Sequence, residues 1–182
     1  MQLDALLNFV QPNAMPVSLV GAAGASISIG GVIDLLGSGV GTAPQGIIGN
    51  TTLWGDDPGI GRVKPDIQIT IGTAVATGNG ATTAFALQYA ADTGAAGGYQ
   101  PGTWYTSSQT NAHAAAALAA NTIIRMDLTP APPEVPAPRY VQLIAIVPAG
   151  ENNSAGTVSF AGLTMVRDDQ TNRQIPNNFT VA

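Results

Sequence analysis

Cysteine is absent from the 182 residues. That excludes disulfides, thiolate catalysis and every cysteine-containing zinc site, and it leaves the redox compartment open. Charge is scarce as well: charged residues make up 9% of the chain, against about a quarter of an ordinary soluble domain. The only lysine is Lys64, and five arginines are scattered from Arg62 to Arg173. Neutralising a nucleic-acid backbone takes clustered positive charge. With a net charge of -5 and no basic cluster, direct nucleic-acid binding is not expected. Histidine occurs once, at His113, and glutamate twice, at Glu134 and Glu151, which leaves little from which to build a hydrolase on a carboxylate pair. Long apolar runs are missing too. The uncharged stretch from Ala5 to Val32 is interrupted by Asn8, Gln11, Pro12, Asn13 and Pro16 and ends rich in Gly and Ser. A membrane span takes about 20 predominantly apolar residues, so no membrane contact is expected. The start, "MQLDALLNF", carries Asp4 and no basic residue, unlike a signal peptide.

What is abundant is small and uncharged: Gly 22, Pro 13 and a hydrophobic fraction of 45%. The length fits one domain able to bury a substantial core. A surface of Ala, Thr, Ser, Asn and Gln is consistent with a molecule partly covered by neighbours. Three breaks organise the chain. "VQPNAMP" follows the short "LDALLNF" segment, whose Leu3, Leu6 and Leu7 share one side at helical spacing; it predicts one or two helical turns in an N-terminal arm over residues 1–16. "YAADTGAAGGYQPGT" reads as a loop between two strands. "TPAPPEVPAPR", residues 129–139, has a proline density that favours extended, polyproline-like chain.

Between the breaks the pattern is that of strands. Ile67, Ile69 and Ile71 alternate with Gln68 and Thr70; Phe85, Leu87 and Tyr89 share one face; Ile124, Met126 and Leu128 oppose Ile123, Arg125 and Asp127. "SISIGGVIDLL" shifts its alternation through a glycine pair, the mark of a bulge or bend. "RYVQLIAIVP" is apolar on both faces, as a strand under a covering layer or at a subunit contact is. "GTVSFAGLTMVRDD" adds another long strand. One internal helix is expected at "QTNAHAAAALAAN", residues 109–121, because alanine is the best helix former and Thr110 or Asn111 can cap it. Short strands with Gly and Pro turns predict an all-β, jelly-roll-like antiparallel sandwich over residues 17–182, with the arm and one short Ala-rich helix.

Catalytic motifs are few. "GSGVGT", residues 37–42, ends in Thr42 where a dinucleotide fingerprint needs glycine, and no P-loop sequence occurs. No G-x-S-x-G elbow accompanies His113. Asp56–Asp57 and Asp168–Asp169 lack the spaced oxygen ligands of a calcium loop. No cofactor or metal is expected. In "LWGDDPGIG", residues 53–61, Gly59 and Gly61 permit a tight turn. Asp57 can cap it, and Trp54 offers the large amphipathic contact enriched at interfaces.

"VIDLLGSGVGTAPQGIIGNTTLWGDDPGIGRVKPDIQITIG", continued by "FALQYAAD" and "RYVQLIAIV", resembles the head cement or decoration proteins of tailed bacteriophages, in particular the small jelly-roll cement family of short-tailed phages. The resemblance covers most of residues 30–170. It implies a non-enzymatic virion protein on the exterior of the capsid, present in the host cytoplasm during assembly. Its partner would be the phage major capsid protein, and it would clamp neighbouring capsomers, often as a homodimer. The candidate interface residues are Leu3, Leu6, Leu7, Phe9, Trp54, Asp57, Trp104 and Tyr140. Other classes remain open on the residues alone: an enzyme or carbohydrate-binding sandwich with Trp54, Trp104, Tyr99 and Tyr105 as a platform, an exterior adhesion protein, and a self-assembling shell or fibre protein.

Overall fold

The computed structural model describes residues 2–9, 16–34, 65–77, 80, 82–93 and 100–165. Two antiparallel sheets pack face to face. In the first, β1 (Gln2–Asn8) and β2 (Val17–Ser18) both run along β11 (Asn153–Met165), which pairs with β5 (Pro65–Thr77), which pairs with β9 (Ile123–Asp127). In the second, β3 (Ser26–Ser28) and β4 (Ile33–Asp34) both run along β10 (Pro138–Ile146). β10 pairs with β6 (Thr82–Ala91), and β6 pairs with β7 (Tyr105–Gln109) and β8 (His113–Ala114). Counting β1/β2, β3/β4 and β7/β8 as single interrupted strands gives eight among the described residues. Following the chain, they fall in the first sheet, the second, the first, the second twice, the first, the second and the first. That winding is a jelly roll, two Greek keys closed into a double sheet.

The strands form where alternation permits one face to be buried. Ile67, Ile69 and Ile71 on β5 are fully buried, as are Phe85 and Leu87 on β6 and Leu143 on β10, and together they make the core. β9 alternates as expected, with Ile124 and Met126 inward and Ile123, Arg125 and Asp127 outward. The glycine pair of "SISIGG" separates β3 from β4. Ser28 faces Ile144 and Ile33 faces Val141, so two extra residues bulge out between them, and Gly30 takes a φ of 87. β10 is buried on both faces, since Tyr140 and Ile144 on its second face are as covered as Val141 and Leu143 on its first. It begins at Pro138, within the proline-rich segment, where the first position of a strand tolerates proline.

Two helical expectations are corrected. The N-terminal residues form β1, whose Gln2 and Leu3 pair with Met165 and Thr164. A leucine stripe this short cannot sustain a helix in water, whereas the edge of β11 offers a ladder of backbone partners. Residues 109–121 form no α-helix. The end of β7, Thr110 and β8 continue along β6, with Thr110 N–H donating to Phe85 O (2.8 Å) and Phe85 N–H to Thr110 Oγ1 (3.0 Å). Only Ala115–Ala117 coils, as one 3-10 turn that brings Leu118 fully into the core. Asn121, at φ 66, then turns the chain into β9. Alanine's propensity is small per residue, and the β6 ladder outweighs it over so few positions.

Candidate functional site

The sandwich has two long sides where sheet edges face one another. On one, β1/β2 lies beside β3/β4, and Gly31 N–H donates to Phe9 O (2.8 Å). On the other, β7 faces β9. Hydroxyl-rich "YTSSQT", residues 105–110, stitches the two at one end: Ser107 Oγ bonds Thr129 Oγ1 and donates to Pro130 O (2.6 Å), and Ser108 Oγ reaches Asp127 O at 3.4 Å. Beneath the stitch, Tyr89 OH donates to Thr129 O (2.9 Å). Burial pushes the Tyr89 phenol up to about 12, because the anion would lose its water.

Toward Gln109 and Ile123 the two edges diverge and leave a groove of about 590 Å³, lined by residues that include Asp66, Ser108, Asn111, His113, Arg125 and Asp127. Serine, histidine and aspartate share this groove, yet they do not form a nucleophile and base. Ser108 Oγ is engaged with a backbone carbonyl, and His113 Nε2 is shielded from solvent without a hydrogen-bond partner. The His113 ring lies tilted, 6.3 Å from the Phe85 ring. Among the described residues, no three acidic or histidine side chains converge as a metal site would require.

The residues singled out from the sequence are dispersed. Leu3, Leu6 and Leu7 lie in β1. Phe9, just beyond it, is 3% exposed in the chain's own core, with its N–H on Ala161 O (3.1 Å). Tyr140 sits in β10 opposite Ala90, buried, with the Arg139 guanidinium 5.4 Å from its ring centre. Arg139 is itself held by Asp92 at 2.9 Å. Trp104 is half-buried, and its neighbour Tyr105, 38% exposed, pairs with Tyr89. Trp104 and Tyr140 therefore stand toward the same end of the second sheet, on opposite sides of β6, while Phe9 is on the far side of the sandwich. Trp54, Asp57 and Tyr99 lie outside the described residues. The residues that sequence reading passed over are Ser107 and Ser108, and Tyr89 was read only as part of a strand face; the dense run of hydroxyls in "YTSSQT" was the available signal. Compared with protein-family models and with curated proteins, the chain matches none.

Proposed function

We propose that this protein is a structural component of a tailed-phage virion, one that binds the outside of the major capsid shell as a homodimer and stabilises contacts between capsomers. The observation that carries the reading is the likeness of residues 30–170 to the jelly-roll cement family, and the jelly-roll winding of the two sheets agrees with it. A cement protein acts through area and shape. A rigid sandwich whose surface carries little charge suits that task, and it makes binding only moderately dependent on salt. Because Phe9 serves the chain's own core, capsid contact falls to side chains left outside it. Among the described residues these include Trp104 and Tyr105, an adjacent aromatic pair of the kind that dominates interface energetics.

The test is to mix the purified protein with expanded capsids that lack it and image the particles. Ordered density on the capsid exterior is the expected result, with occupancy sharply reduced by the double change Trp104→Ala, Tyr105→Ala. Bare capsids at saturating protein would overturn the proposal, and glycan binding by the free protein would favour a carbohydrate-binding module instead.

A further inference from the structure

On the side of β9 away from β5, no described strand pairs with it, and the groove runs along that side. The alternation of its backbone is set by Ile71 N–H, which donates to Thr122 O (2.9 Å). Continued through the register Ile69 with Ile124 and Ile67 with Met126, it turns Ile124 and Met126 toward β5. Ile123, Arg125 and Asp127 therefore point their N–H and C=O groups outward. Among the described residues, one side-chain contact touches this row, from Ser108 Oγ to Asp127 O at 3.4 Å. The same three residues carry the exposed side chains of the strand, and Ile123 is 52% exposed. An unpaired edge of this kind is a template for another strand.

We propose that β9 pairs antiparallel with β9 of a second copy, about a two-fold axis at Met126, so that the first sheet runs continuously through a dimer. Charge fixes the register. With the axis at Met126, Arg125 stands opposite the partner's Asp127 and Asp127 opposite the partner's Arg125, and both positions present outward backbone groups. With the axis at Arg125, two guanidinium groups would face each other, which destabilises a cross-strand pair. The second face of β10, the other surface that sequence reading offers for self-association, is already buried within the chain at Tyr140 and Ile144. The inference rests on the homodimer part of the proposed function and not on the capsid, so it is tested on free protein.

Because the chain has no cysteine, single introduced thiols report the register without background. Arg125→Cys mixed with Asp127→Cys under mild oxidation is expected to give a cross-linked dimer, since opposed, hydrogen-bonded residues have Cα atoms about 5.5 Å apart, within disulfide reach. Either variant alone is expected to stay uncross-linked, because its own copies lie beyond the limit of about 7 Å. In sedimentation, Arg125→Asp or Asp127→Arg is expected to weaken the dimer about tenfold or more, and the double reversal to restore it. A purely monomeric wild type, self-cross-linking by Arg125→Cys, or a dimer indifferent to both charge reversals would overturn the proposal. Folding of each variant is checked by far-UV circular dichroism.

Discussion

The two long sides of the sandwich are closed by different chemistry. Beside β1 and β3 the closure is main chain and apolar: Gly31 N–H on Phe9 O, Phe9 itself in the core, and Leu19 fully buried with its N–H on Gly156 O (2.9 Å). Beside β7 and β9 it is made by hydroxyls, those of Ser107, Ser108 and Tyr89, and part of its length stays open as a groove. Apolar closure contributes through buried area and resists change. Hydroxyl closure contributes about 1 kcal/mol per bond and leaves backbone groups available. One side holds the fold together, and the other has surface to offer a partner.

The sharpest way to break the first side is Phe9→Ala. Truncating a buried phenylalanine costs about 3–5 kcal/mol, a large share of the roughly 5–15 kcal/mol that stabilises an ordinary domain, so the denaturation midpoint should fall steeply. A drop below about 1 kcal/mol would mean that β1 is a detachable arm after all. Alkaline titration of Tyr89 acts on the second side. Tyr89 holds its proton up to about 12 when folded, while an unfolded tyrosine releases it near 10. The unfolded state thus binds fewer protons between those values, and stability present below pH 10 is lost as pH rises toward 12. The slope is about 1.4 kcal/mol per pH unit. Tyr89→Phe should flatten that slope, measured by urea unfolding across the window, while Phe9→Ala leaves it unchanged.

Two smaller changes refine the contrast. At Gly156, φ is 134, and an added Cβ would come within 2.9 Å of Val75 Cγ2 and 3.1 Å of Val75 Cα. Gly156→Ala should cost about 1–3 kcal/mol by overpacking and should speed amide exchange at Leu19, whose partner it moves. The smallest effect is expected for Ser107→Ala, about 1 kcal/mol. Its signature is local, with faster hydrogen exchange over Tyr105–Gln109 and none over β1. Uniform loss of protection in both regions would show that the two sides melt as one unit.

Where a strand alternates large and small or polar residues, sequence alone was sufficient: Ile67–Ile71, Phe85–Tyr89 and Ile123–Asp127 lie as their period of two predicts. The doubly apolar "RYVQLIAIVP" was equally legible as a covered strand. What failed was reading short segments by local preference. Leu3, Leu6 and Leu7 have helical spacing, and residues 109–121 have helical composition, but each segment lies beside a strand edge, and pairing with that edge decides its state. The groove was not legible, because its walls come from two strands that share no pattern in sequence and meet only through the winding of the fold. Of the candidate interface residues, Phe9 and Tyr140 are large apolar side chains, and such residues serve a chain's own core as readily as an interface.

Gln2 pairs with Met165, and β11 lies between β1 and β5 as the central partner of both. The first strand therefore waits for the last. On a ribosome, β1 and β5 emerge well before β11 and remain without their common neighbour until it follows. Such long-range pairing slows folding toward the millisecond-to-second range. That interval is when two nascent chains are most exposed to each other, and a sequence poor in charge does little to keep them apart. The order in which the strands are wound thus makes the interval before β11 arrives, and not only the finished fold, a point at which two chains can associate.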